Sequence, residues 1–185
     1  MKENLKLWES VCVTDPAHTK KANVKGNRLT SIKPKYQILQ ATKQWGSYGS
    51  TWGFKDIVLS YELKELGLAN FKALFYYPGG YFEAINTISL WRDGAQTKID
   101  DEFAKKIETD SLTKCLSKLG FSADVFMGKF DDPRYVDVAT KSFTKKPSLS
   151  DDRFAKALKQ LQDGKTTKET ITNNFELTTE QLKQI

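Results

Sequence analysis

Residues 70–91 read "NFKALFYYPGGYFEAINTISLW", and their reading decides the fold. Pro78-Gly79-Gly80 is a turn signal between two runs rich in aromatic and β-branched residues, which predicts a β-hairpin. On its second arm Phe82, Ala84, Ile88 and Leu90 share one parity, interrupted by Asn86. Tyr81, Glu83, Ile85, Thr87, Ser89 and Trp91 hold the other. Alternate residues of a strand point to opposite faces, so one face is mainly apolar and the other mixed. That pattern fits an antiparallel sheet covered by helices on one side.

Upstream, "WGFKDIVLSYEL" (52–63) has strand composition and adds a third strand. Before it, "PKYQILQATKQWG" reads as a helix. Pro34 suits its first turn and Gly46 an αL stop, and Ile38, Ala41 and Trp45 form a narrow apolar face. Downstream, "RDGAQTK" is a turn, and a helix is expected from about Ile99 to Leu119. Asp100, Asp101 and Glu102 sit at its positive end, and Gly120 at its stop. The expected order is helix, three antiparallel strands, helix: an α+β layered fold.

The flanks are less regular. Residues 4–13 are a short apolar element, residues 14–33 a polar arm or loop, and 121–138 irregular. Residues 1–139 form the expected main domain, and 140–150 have linker composition. Residues 151–185 are a small helical module, with Phe154, Ala157, Leu158 and Leu161 on one face of its first helix. Thr166–Glu169 and Thr178–Gln181 fit the capping-box pattern for two further helices.

Composition narrows the function. Hydrophobic residues are 39% and charged residues 28%, as in a soluble globular chain. No apolar run reaches the roughly 20 residues of a membrane helix, and the first ten residues lack a signal-peptide core, so a cytoplasmic location is expected. Cys12 and Cys115 have no metal or redox spacing, and a lone His18 cannot supply a two-histidine zinc site. Gly164-Lys165-Thr166 lacks the first glycine of a P-loop, Lys159 standing there. Asp56, Glu62 and Lys64 loosely resemble a nuclease's metal-binding set, but on one strand they lack an acid from a second element. Asp131-Asp132 beside Pro133 reads as a turn. No cofactor and no catalytic residue is expected.

Charge is more informative. Net charge is +6, and residues 16–55 contain eight bases and no acid, although acids make up 23 of the 185 residues. A one-signed stretch of this length points to a polyanion, against the plain alternative of a solvated basic face. Within it lies "KQWGSYGSTWGF" (43–54), which joins rings, glycines and lysines, a combination suited to single-stranded nucleic acid. Trp45, Trp52 and Phe54 are expected to pack, leaving Tyr48, with Lys43 and Lys55, as what this corner presents. On the late helix, Lys114 and Lys118 are four apart and share a face, unless Asp110 merely pairs with Lys114 on a solvated surface.

Two segments resemble signature regions of the Rad-fifty-two-type single-strand annealing proteins, in their phage and mobile-element branch. "YQILQATKQWGSYGSTWGF" is similar to the family's helix followed by an FGxxGW-like turn, here two residues longer. Thr109-Asp110-Ser111-Leu112 through Leu116 to Gly120 resembles its T-D-x-L-x-x-x-L-x-x-x-G helix. The similarity covers residues 33–128. It implies an ATP-independent DNA-annealing protein of recombination rather than an enzyme, assembled as a ring or helical filament with a basic outer groove that holds single-stranded DNA. By position, the family's late-helix basic pair falls on Thr113 and Lys114, with Lys118 as a substitute. An early-helix base falls near Lys35 and Tyr36, and a groove tyrosine near Tyr48. The candidate DNA-binding set is therefore Lys33, Lys35, Tyr36, Lys43, Tyr48, Lys55, Lys106, Lys114 and Lys118. The tail resembles C-terminal segments of phage recombination proteins, which implies a host single-stranded-DNA-binding protein as a partner of residues 151–185. The alternatives are a strand-coating protein that does not anneal and a metal-dependent nuclease.

Overall fold

A computed structural model describes residues 3–24, 26–144 and 146–185. The chain forms two compact units, residues 1–140 and 141–185. The architecture is mixed α and β. In the first unit, β3 (Gly53–Ser60), β4 (Leu68–Tyr77) and β5 (Gly80–Ser89) make an antiparallel sheet in that order. The β4–β5 hairpin turns at Pro78-Gly79 and keeps register from Tyr77↔Gly80 to Leu68↔Ser89. β3 ends at Ser60, three residues short of the expected limit, and bulges between Lys55 and Val58, where Asp56 takes φ 53°. One extra residue flips the parity, so Phe54 and Leu59 both reach the core despite their odd spacing.

The covered face of the sheet is the core. Phe71, Ala73 and Phe75 of β4 and Ala84 of β5 are buried, and Phe54, Phe82 and Ile88 pack against them. α2 (Pro34–Trp45) contributes Ala41, with Ile38 and Trp45 packed at its edge. α3 (Phe103–Lys118) begins four residues after its expected start, Ile99 instead bridging to Trp91, and contributes Ile107, Leu112, Cys115 and Leu116. Asn86 interrupts the apolar parity of β5 because it faces α3. Its amide donates to Asp110 at 2.9 Å and Ser111 at 3.1 Å, and its oxygen accepts from Lys114 at 2.9 Å. A polar residue is tolerated there because both ends of its amide are satisfied.

Three expectations need correcting. The polar arm is an antiparallel hairpin, β1 (Thr19–Val24) with β2 (Asn27–Ile32), joined through Gly26 at φ 87°. Gly46 ends α2 with φ 91° but ψ −158°, outside the αL well; its N–H still donates to Thr42 at 2.8 Å. The irregular stretch after α3 contains α4 (Ala123–Phe126) and α5 (Pro133–Phe143), so helix runs into the segment expected as a linker.

Upstream of the hairpin, α1 (Lys6–Val11) is locked to the region after α3, where the Ser122 N–H donates to Val11 at 3.0 Å and the Asp124 N–H to Cys12 at 3.2 Å. Asp124, buried, accepts from the Thr14 N–H (2.8 Å), the Thr14 hydroxyl (2.6 Å), the Tyr135 hydroxyl (2.8 Å) and the Val125 N–H (2.9 Å). Burial, reinforced by this carboxylate, holds the Tyr135 phenol well above its ordinary range.

The second unit packs α6 (Asp151–Gln162), α7 (Lys168–Asn174) and α8 (Thr179–Leu182) around Phe154, Ile171 and Leu149. Leu149 comes from the segment expected as a linker. Gly164 (φ 68°) stops α6, which accounts for the Gly-Lys-Thr run. The Thr178–Gln181 capping box forms; the cap of α7 is Thr167 rather than Thr166.

Candidate nucleic-acid interface

The acid-free segment folds into the β1–β2 hairpin and α2, and the two are stapled together. The Lys33 N–H donates to His18 at 2.9 Å, and its ammonium donates to the Ala17 carbonyl at 3.0 Å. The His18 ring stacks on Tyr36, centroids 4.4 Å apart and planes 15° apart. The Tyr36 hydroxyl accepts from the Asp15 N–H at 3.2 Å. Tyr36 is thus a buried anchor of the hairpin rather than a residue offered to a strand, because its ring is committed to His18 and the core. Lys20 and Lys21 lie on β1, where Lys21 donates to Thr30 at 2.9 Å. Lys25 lies outside the described residues, and of Arg28 only the backbone, paired with Asn23, is described.

Opposite this hairpin stands α3, and between them runs an open groove of about 700 Å³. Leu29, Thr30, Ser31, Ile32 and Pro34 line one side, Lys105, Lys106, Thr109, Asp110 and Thr113 another. Val125, Phe126, Gly128 and Asp131 complete it. A further hollow, sharing Leu29 and Asp131, continues past Lys21 and Asn23. The groove carries both signs of charge. Lys106 is held by Asp100 at 2.7 Å and Lys105 by Glu102. The Lys106 hydrogen bond holds the Asp100 carboxyl below the usual carboxylate range.

Lys114 and Lys118 lie on the other side of α3. They border a smaller pocket of about 280 Å³ with Ala84, Ile85, Ser111, Cys115 and Ser117. Lys114 pairs with Asp110 at 2.8 Å, and Lys118 stands 5.4 Å over the Phe82 ring. The helix therefore divides the basic set, with Lys106 facing the hairpin groove and Lys114 and Lys118 facing β5.

The glycine–aromatic corner forms a third locus. Trp52 is fully buried, and its indole N–H donates to Gly46 at 2.9 Å. Trp45 packs on Trp52, Tyr77 and Phe121. Tyr48 meets Trp52 edge-on at 5.0 Å and remains 42% exposed. Gly53 (φ 145°) makes room for it: a Cβ there would stand 3.3 Å from the Tyr48 ring. Lys43 and Lys35 are exposed on α2, and the Lys55 ammonium stands 4.5 Å over the Tyr76 ring.

Sequence reasoning missed Lys105 and Thr109, which line the groove, because it missed the hairpin that makes a groove there. Alternation in that hairpin is masked by polar residues; its one usable signal was Gly26-Asn27 between two basic runs. Among the described residues no group of three His, Cys, Asp or Glu converges to hold a metal ion, and no helix is long and apolar enough to cross a membrane. A scan of protein-family models gives no match to this chain, and a search of curated proteins gives none either.

Proposed function

We propose that this chain binds single-stranded DNA and anneals complementary strands without ATP, in recombination of the phage type. The observation that carries the reading is the acid-free basic segment, folded as one wall of an open groove that faces the lysine- and threonine-bearing side of α3. Lys105 and Lys106 of α3, with Lys21 at the adjoining hollow, neutralise phosphates and release counterions. The Thr113 hydroxyl adds a neutral donor, whereas that of Thr109 already donates to the Lys105 carbonyl at 2.8 Å. A strand held by its backbone leaves its base edges free to test a second strand. Each correct base-pair step then contributes about 1.4 kcal/mol, which needs no nucleotide hydrolysis. Assembly into a ring or filament multiplies these individually weak contacts.

The second unit serves this reading as a partner-binding module. Its shallow apolar hollow is lined by Phe175, Leu177 and Leu182, with Lys146 at the edge, and Leu182 is 47% exposed. Host single-stranded-DNA-binding protein is the proposed partner. Leu182→Asp in the full chain should abolish co-sedimentation with that protein while leaving oligonucleotide affinity intact; retained co-sedimentation would contradict this.

The test of the main reading is binding of a labelled oligonucleotide across a salt series. Affinity should fall steeply with salt, with a log–log slope of about −0.7 per phosphate engaged. A flat salt dependence would remove phosphate recognition, and annealing with it.

A further inference from the structure

The uncovered face of the β3–β4–β5 sheet carries aromatic residues in an ordered row. Gly53, Tyr76 and Tyr81 are cross-strand neighbours, paired Gly53↔Tyr76 and Tyr76↔Tyr81. Phe75 and Phe82 beside them pack in the core, so alternation puts Tyr76 and Tyr81 on the opposite face. Tyr48 covers the position where Gly53 lacks a side chain. The row therefore reads Tyr48, Tyr76, Tyr81, with neighbouring strands about 4.8 Å apart. Tyr81 is 75% exposed, and Lys55 lies against the Tyr76 ring at 4.5 Å. Beyond them the same face continues to Ile85, also largely exposed.

We propose that this face is a second strand-binding surface, on which Tyr48, Tyr76 and Tyr81 stack unpaired bases of single-stranded DNA and Lys55 meets the adjoining phosphate. Rings on a sheet accept any base, because every base has a π-face, and a cation among them suits the backbone. The mixture favours DNA over a second copy of the chain. Tyrosines also suit a contact between copies, but lysine is depleted at such contacts, and here the Lys55 ammonium stands in the row against Tyr76. The inference rests on the annealing reading for its ligand and adds to it: a groove for one strand and an aromatic platform for another would bring two strands onto one protein.

The experiment compares a thymidine oligonucleotide with an abasic sugar–phosphate oligomer of equal length. The full chain should prefer the thymidine oligomer at least tenfold, since a stacked base contributes about fivefold or more in affinity. Tyr76→Ala combined with Tyr81→Ala should remove most of that preference and leave abasic affinity unchanged. Tyr81→Phe should keep it, and the single Tyr81→Ala, at an exposed position, should show a partial loss in a protein that melts like the parent. An unchanged preference in the double variant overturns the proposal. So does a change in the DNA-free sedimentation coefficient with no change in oligonucleotide affinity, which would make the face a contact between copies. If the parent binds both oligomers equally while Lys105→Ala still weakens both, only the platform falls. If the parent binds neither, the groove reading falls as well.

Discussion

Replacing Asp124 by alanine tests how the N-terminal segment is held against the groove. The carboxylate accepts two hydrogen bonds from Thr14, at 2.8 and 2.6 Å, and one from the Tyr135 hydroxyl at 2.8 Å. Thr14 is fully buried, so its two donors cannot turn to water when the acceptor is removed. The two orphaned buried donors of Thr14 cost roughly 1–2 kcal/mol each and the half-buried Tyr135 hydroxyl about 1 kcal/mol more, about 4 kcal/mol together. That is a large part of the roughly 5–15 kcal/mol that holds a domain folded, and at about 3 °C per kcal/mol it lowers the melting temperature by about 12 °C. All four tryptophans, Trp8, Trp45, Trp52 and Trp91, lie in the first unit, so urea unfolding followed by their fluorescence reports on that unit. Thr14→Val, which removes only the hydroxyl, should cost about a third as much. The reasoning fails if Asp124→Ala loses less than about 1 kcal/mol. Asp124 immediately precedes Val125 and Phe126 of the groove lining, so the same variant should weaken oligonucleotide binding.

Further consequences follow from single positions. Gly120→Ala puts a methyl 2.7 Å from the Trp8 ring at φ 97°, and should cost at least about 2 kcal/mol in the same urea titration. Burial pushes the Cys115 thiol up to about 11, so at pH 8 about a thousandth of it is thiolate; iodoacetamide should modify it only after denaturation. The sign of that shift means stability is undiminished below about pH 8.5 and falls as pH rises from there toward 11. Lys114→Ala should weaken oligonucleotide binding and flatten the log–log salt slope by about 0.7, the value for one phosphate; an unchanged slope would leave Lys114 as the partner of Asp110 and Asn86 alone.

The sheet and its two flanking helices were legible because their periodicities are strong. The Pro-Gly-Gly turn fixed the β4–β5 pairing, and Ile38, Ala41 and Trp45 marked the inner side of α2. The packing of Trp52 and Phe54 and the exposure of Tyr48 followed from their places at a strand start and between glycines. Other features were hidden for physical reasons. The β1–β2 hairpin is polar and basic, so no buried stripe announces it. Tyr36 looks like a surface residue among lysines, and only the fold brings His18 onto its ring. Asp124 gains its meaning from Thr14, 110 residues away in sequence. The tyrosine row needs register: Tyr48, Tyr76 and Tyr81 belong to separate segments and fall into line only when β3, β4 and β5 pair.

The most direct measurement of the central claim is annealing itself. Two complementary oligonucleotides, one carrying a donor dye and the other an acceptor, are mixed with the full chain in buffer containing EDTA and no nucleotide. The account predicts that energy transfer rises much faster than in spontaneous pairing, and that raised salt suppresses the acceleration. Strands that are bound but pair no faster, or more slowly, would contradict annealing and leave a coating protein.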